Sequence, residues 1–315
     1  MQMDDALDPD LALFASEVVR SALGSGARLT RVVAWPAAPG QAVWQLSATG
    51  AARPLVLKAA TAEAAESAGV DFERTAAVTA LAVRAGVPVA RVLAADTSHA
   101  LGPWSYLLTE QLAGVQWRTL RPRLSEAEVR SAHRQIATAV LACQSIRFGS
   151  YGELDRHGRP DDDDLGSALR LRARLRTVPS RMALAEKVLE REAGLFETPT
   201  TSPTLTHDDL HQANLLFTMQ GDSPRLAGIL DWDKAWAGPP ESDVARMAWW
   251  DDMTGPGFWE VYGDVGWSDR QARRWLVHQL LWCLEYPVSS PRHRRDTVDL
   301  CHRLGLPPPP TARGN

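Results

Sequence analysis

The chain has 315 residues, 45% of them hydrophobic, and a formal net charge of −4. A chain of that length can hold two lobes and a large core, and its slight negative charge gives no ground for a nucleic-acid partner. Three widely spaced cysteines, Cys143, Cys283 and Cys301, argue against a disulfide framework, and the acidic opening Met1–Asp5 lacks a signal-peptide apolar run, so a cytoplasmic location is expected. The uncharged stretch from Val32 to Ala52 is broken by Pro36, Pro39 and Gly40, which excludes a membrane helix there.

Taken in chain order, the first element is a helix. Asp8 can cap it, Pro9 suits its first turn, and Leu11, Phe14, Ala15, Val18, Val19, Ala22 and Leu23 form one face. Two extended runs follow, joined by the Trp35–Trp44 segment. Then comes the apolar strand Pro54–Ala60, which carries Lys58. The segment Asp71–Arg84 has helical spacing and stops at Gly86; Val87-Pro88-Val89 opens the next extended piece. The strand-like Trp104–Thr109 runs into Glu110-Gln111-Leu112. Beyond it the pattern is mostly helical. Ser125-Glu126-Ala127-Glu128 starts a helix that runs toward Ile146, and the acids Asp161–Asp164 suit the positive end of another. The tail from Pro307 to Asn315 is expected to be irregular.

The densest chemistry lies in His207-Asp208-Asp209-Leu210-His211-Gln212-Ala213-Asn214, followed by the apolar run Leu226–Leu230 and then Asp231-Trp232-Asp233. Phosphoryl transfer asks for positioning and charge neutralisation rather than covalent work. Asp209 suits the group that accepts a hydrogen bond from the acceptor hydroxyl. Asn214 and Asp231 supply the hard oxygens that magnesium takes. A zinc cluster of His207, Asp209 and His211 is the rival reading, but it leaves Asn214 and the Asp231 strand unexplained. Lysine is rare: of 34 Lys+Arg, only Lys58, Lys187 and Lys234 are lysines. A lysine kept at 58 suggests a compact ammonium on phosphate oxygens, against the bland alternative of an edge-strand lysine in water.

The quoted motifs, with Gly238-Pro239-Pro240-Glu241-Ser242-Asp243 after them, resemble the aminoglycoside phosphotransferase family of kinase-like enzymes, which includes antibiotic, choline and homoserine kinases. The resemblance implies an α+β, two-lobed protein-kinase-like fold. Residues 1–112 would form a nucleotide-binding lobe of antiparallel sheet plus helix, and residues 113–315 a larger, mostly helical catalytic and acceptor-binding lobe. It implies ATP or GTP as donor and Mg2+ as cofactor, with Asp209 catalytic and Asn214 and Asp231 on the metal. Lys58 would contact the phosphates, held by a helix glutamate, Glu73 first and Glu66 second. The backbone of Gln111 and Leu112 would meet the purine edge. Two positions depart from the family pattern: Asp208 replaces a common Gly, and Gln212-Ala213 a common Pro-Gly.

Acceptor choice is expected to lie after Asp231. Glu241–Pro287 holds six of the twelve tryptophans and eight acids against four arginines. Aromatic faces and acids suit an amine-bearing or nucleoside antibiotic, although most of these tryptophans read as core. Asp251, Asp252 and Glu285 are the acceptor-binding candidates. The expectation is thus a small-molecule O-phosphotransferase, monomer or homodimer, acting on an antibiotic hydroxyl. A primary-metabolite kinase and a catalytically silent nucleotide-binding protein are the alternatives. A protein kinase is disfavoured, since Asp231-Trp232-Asp233 lacks the glycine of a flexible Asp-Phe-Gly switch.

Overall fold

The structure is a computed structural model that describes all residues except 1, 4–8, 38, 162, 198–200, 251–252, 264–267, 288–289 and 309–315. The first 110 residues build one sheet. Strands β1 (Gln2–Met3), β2 (Leu29–Trp35), β3 (Gln41–Ala48), β4 (Leu55–Thr61), β5 (Val92–Asp96) and β6 (Trp104–Glu110) lie in the order β1-β2-β3-β4-β6-β5. Every pairing but β1–β2 is antiparallel. Helix α1 (Pro9–Leu23) packs Phe14, Ala15, Val18 and Val19 against Val32, Trp44, Leu46, Leu55, Leu57 and Leu108. Side chains alternate along a strand. With Leu55, Leu57 and Ala59 in that core, Val56 and Lys58 turn to the other face, toward the cleft between the lobes.

Two helices follow β4. The short α2 (Ala62–Ala68), capped by the Thr61 hydroxyl, has no counterpart in the sequence reading. The expected helix is α3 (Phe72–Arg84), capped by Asp71.

The second half is mostly helical. Strand β7 (Val115–Gln116) and helix α4 (Trp117–Leu120) lead to α5 (Glu126–Ser145), which carries the Ser125/Glu128 capping box read from the sequence. Strand β8 (Gly152–Glu153) is followed by α6 (Leu165–Arg176), whose N-cap is Asp164, and by α7 (Met182–Arg191). Strands β9 (Thr204–Thr206), β10 (Leu215–Gln220), β11 (Ser223–Ile229) and β12 (Trp236–Gly238) form two small sheets, β11-β10-β7 and β8-β12-β9. Helices α8 (Glu241–Trp250), α9 (Pro256–Tyr262), α10 (Asp269–Leu284) and α11 (Pro291–Arg303) complete the lobe. Trp275 and Trp282 are buried in its cores, as core-type tryptophans should be. Among the described residues no helix is long and apolar enough to cross a membrane.

The lobes meet where the Ile229 amide donates to the Pro88 carbonyl at 2.8 Å. Nearby, Gly228 has no side chain for a reason. A Cβ there would lie 2.2 Å from Leu112 Cδ1, so the glycine lets Leu112 settle onto β11.

Gly257 sets the approach of α9 to α5 in the same way, but against backbone: a Cβ would sit 2.1 Å from the Arg130 carbonyl oxygen. A carbonyl cannot rotate away as a side chain can. Gly257→Ala is therefore expected to cost about 1–3 kcal/mol of stability, the usual range for overpacking, read as a fall of several degrees in the thermal melting temperature. An unchanged melt would contradict the close helix approach.

Candidate active site

Strand β9 ends at Thr206, and the loop 207–214 then turns across its end before β10. The loop is held from below by one carboxylate. Asp243, in the first turn of α8, accepts the His207 amide at 2.8 Å and the Asp208 amide at 2.7 Å. His207 Nε2 lies 2.8 Å from the Leu230 carbonyl, and its Nδ1 accepts the Asp209 amide at 3.2 Å. In this pair of bonds Nε2 faces an acceptor and Nδ1 a donor. Both ring nitrogens are thus committed within the protein. His211 Nδ1 is likewise used, accepting the Ala213 amide at 3.1 Å. The zinc reading loses His207 to these bonds.

Asp208 has φ +62°, a left-handed conformation that a residue with a Cβ adopts at a cost. Its side chain is fully engaged. Arg172 Nε of α6 donates to Oδ2 at 2.6 Å, and Arg246 of α8 stands 3.2 Å from Oδ1. The negative charge that this residue adds beside Asp209 is therefore matched by two buried guanidiniums.

Asn214 Nδ2 donates to the Asp209 backbone carbonyl at 3.0 Å, so Oδ1 is the end of that amide that could hold a metal ion. Asp231 follows β11 in the left-handed region (φ +66°), a strained placement typical of functional positions. Lys58 Nζ lies 2.6 Å from Asp231 Oδ1 and 3.5 Å from Asp233 Oδ2. Burial alone would lower the ammonium's pKa, but Asp233 and Asp231 outweigh it and hold it above the ordinary lysine range. Burial would raise the Asp231 carboxyl, yet Lys58 keeps it below the ordinary value.

The structure does not join Lys58 to a helix glutamate. Glu73 accepts instead from the Thr97 hydroxyl at 2.8 Å, and Glu66 is exposed. Helical phase explains this. Thr75 and Thr79 are the α3 positions that line the cleft, and at 100° per residue Glu73 lies roughly 200° around the helix from Thr75. The carboxylate that shares Lys58 with Asp231 is Asp233, whose Oδ1 accepts the Thr75 hydroxyl at 2.9 Å.

Lys58, Thr75, Gln111, Leu112, Asn214, Asp231 and Asp233 line one cleft of about 440 Å³ between the lobes, with Trp35 of the β2–β3 hairpin at its rim. The Gln111 amide is already used, donating to the Pro54 carbonyl at 2.8 Å. That bond takes the amide, and not the carbonyl, of the Gln111 backbone.

On the far side of Asp209 the acceptor expectation is corrected. Glu285 is buried and takes Lys234 and Arg246, each at 3.0 Å. Burial would raise its carboxyl, but Lys234, Arg246 and Arg172 hold it below the ordinary range. A carboxylate so paired is not open to a substrate amine. Asp251 and Asp252 lie outside the described residues. Lys234 and Tyr286, which sequence reasoning did not place in the site, both reach Asp209: Lys234 Nζ is 3.7 Å from Oδ2, and the Tyr286 hydroxyl donates to Oδ1 at 3.1 Å. The scarcity of lysine that drew attention to Lys58 applied equally to Lys234.

Residues 40–276 match the family model described as "Phosphotransferase enzyme family". No curated protein matches the chain. Among solved structures, the chain is similar to the aminoglycoside phosphotransferase APH(4)-Ia in ternary complex with ADP and hygromycin B, at 15% identity and TM-score 0.66, over 92% of this chain and 96% of that one. It is equally similar to a protein provisionally named a fructosamine-3-kinase, from Haemophilus somnus 129PT, at 15% identity and TM-score 0.67 with the same coverage. A third likeness is to APH(2")-IIia in complex with GDP and kanamycin, at 13% identity and TM-score 0.57, over 93% of this chain and 97% of that one. At such identities these likenesses show the fold, which is the two-lobed protein-kinase-like one. The fold, the catalytic-loop motif and the family match agree: the chain belongs to the phosphotransferase enzyme family and is a kinase.

Proposed function

We propose that the interlobe cleft binds ATP or GTP and that the enzyme moves the γ-phosphoryl onto a hydroxyl of a small molecule, most specifically an antibiotic of aminoglycoside or nucleoside type. The observation that supports this best is the meeting of Lys58, Asn214 and Asp231 on one cleft, with Asp209 on the same loop as Asn214. The nucleotides and aminoglycosides bound by the similar structures support the donor and the acceptor class.

In this reading residues 1–112 form the nucleotide-binding lobe and residues 113–315 the catalytic and acceptor-binding lobe. Lys58 exchanges its carboxylate partners for phosphate oxygens when nucleotide enters. The Gln111 carbonyl and the Leu112 backbone supply the contacts to the base, since the Gln111 amide is spent. Asn214 Oδ1 and the Asp231 carboxylate are hard oxygens lining the same cleft, a donor set that fits Mg2+. They would hold the ion, which when bound neutralises phosphate charge. Asp209 accepts a hydrogen bond from the acceptor hydroxyl, aims it, and takes its proton late in the transfer. Asp251 and Asp252 remain our candidates for contacts to an acceptor amine, while Glu285 serves the protein's own cations. A cytoplasmic monomer or homodimer completes the reading.

The test is turnover of magnesium ATP or GTP against aminoglycoside, macrolide, peptide and nucleoside antibiotics, with choline and homoserine alongside. An acceptor-dependent product heavier by one phosphate is expected. Asp209→Asn should lower that rate by roughly 10²–10⁴-fold, the span of general-base contributions, while still binding nucleotide. A protein that binds no nucleotide would refute the proposal.

Asn214→Ala and Asp231→Ala should each raise the magnesium concentration that supports half-maximal turnover; an unchanged magnesium dependence would remove them from the metal. Gly228→Ala should drive the Leu112 side chain into the cleft. If the substitution costs about 1 kcal/mol of nucleotide binding, KM for nucleotide rises by roughly fivefold, with kcat near the parent value. A lowered kcat at constant KM would instead place the damage at Asp231.

A further inference from the structure

Phosphate binding absorbs one of the three lysines. Lys187 is exposed on α7. Lys234 ends the single 3-10 turn that follows Asp231, and its side chain is 20% exposed. It donates to Glu285 Oε2 at 3.0 Å and to the Tyr286 hydroxyl, lies 4.4 Å from the centre of the Tyr286 ring, and stands 3.7 Å from Asp209 Oδ2. The Tyr286 hydroxyl in turn donates to Asp209 Oδ1 at 3.1 Å. Each oxygen of the reacting carboxylate therefore has its own neighbour. Both neighbours are anchored behind it, because Glu285 is itself fixed by Arg246.

A carboxylate that must aim a hydroxyl has to be held within a few tenths of an ångström, and its own loop does not do this. Asn214 bonds the backbone carbonyl of Asp209 and not its carboxylate. Among the described residues the contacts to that carboxylate come from the two residues opposite.

Building on the phosphotransfer reading above, we propose that Lys234 and Tyr286 are positioning residues for Asp209. Tyr286 fixes Oδ1, so that Oδ2 is turned to the acceptor hydroxyl, and Lys234 balances the carboxylate's charge beside it. Burial would lower the Lys234 ammonium's pKa, but Glu285 and Asp209 hold it above the ordinary range, so the balancing charge is present at neutral pH.

The test uses the full chain with its lysine side chains isotopically labelled at Cε and Nζ. Three lysines give three sets of NMR signals. Asp209→Asn and Tyr286→Phe should each move the Lys234 signal and leave that of Lys187 in place. In the turnover assay, Lys234→Met and Tyr286→Phe should lower kcat by up to roughly a hundredfold, the cost of a misplaced reacting group, with nucleotide KM within about twofold of the parent. Added methylammonium should restore part of the Lys234→Met rate and none of the Asp209→Asn rate. A Lys234 signal indifferent to Asp209→Asn, a loss carried by nucleotide KM, or a Lys234→Met enzyme with parental kcat would each overturn the proposal. A parent protein that binds neither magnesium ATP nor magnesium GTP would overturn the phosphotransfer reading and this proposal with it. The tyrosine variant removes one oxygen only, which keeps the test meaningful should Lys234→Met fail to fold.

Discussion

Two backbone amides of the loop 207–214 donate to a single buried carboxylate, that of Asp243, and the geometry of the site hangs from this grip. A buried amide without a partner costs about 1–3 kcal/mol, so the loop has a strong reason to lie where α8 presents its first turn. Helix α8 thereby sets the height of His207, His207 bridges Asp209 to Leu230, and Leu230 immediately precedes Asp231. One acid at a helix start thus registers two strands against each other. Burial holds the Asp243 carboxyl above its ordinary value even though the two amides pull it down.

Around that grip the protein buries more charge than a core usually tolerates. Asp208, Arg172, Arg246, Glu285 and Lys234 form a continuous chain of ion pairs, and Arg172 extends it to Glu153. Arg74 of α3 also reaches Glu153, at 2.7 Å, and donates to the Asp233 carbonyl, so the network joins the sheet-bearing lobe to the helical one. Burial would raise the Glu153 carboxyl, but Arg172, Arg176 and Arg74 hold it below the ordinary range. Removing one partner from such a set leaves an uncompensated buried charge, which costs far more than the intact pair contributes. The network therefore specifies an arrangement more than it adds stability: Asp208 in place of glycine is tolerable because its charge is locked.

The sequence made the local parts legible. Asp209, Asn214 and Asp231 stand close along the chain, and their residue types state a chemistry before any fold is known. The apolar run around Lys58 marked its strand, and the Ser125/Glu128 capping box located α5. What failed needed tertiary register. Choosing Glu73 required knowing which face of α3 meets the cleft, and the phase set by Thr75 and Thr79 turns Glu73 away. Glu285 read as an open acid because nothing nearby in sequence shows Arg246 and Lys234 arriving on it. Which backbone atom of Gln111 stays open to a ligand also needed register, because its amide pairs with Pro54 only once β4 and β6 lie side by side. Short α2 carried too few turns to leave a periodic signal.

The near-absence of lysine has one more consequence. Arginine carries almost all of the positive charge, and of the three lysine amines Lys58 and Lys234 end beside Asp231 and Asp209 while Lys187 stands exposed on α7. Amine-directed covalent chemistry consequently has a nearly blank background on this protein. The two inner amines are kept protonated by their carboxylates and are poor nucleophiles for as long as those partners stay. An electrophile tethered to a cleft ligand would thus find a chemical address that the rest of the surface does not duplicate, and the extent of acylation would record which carboxylate had let go.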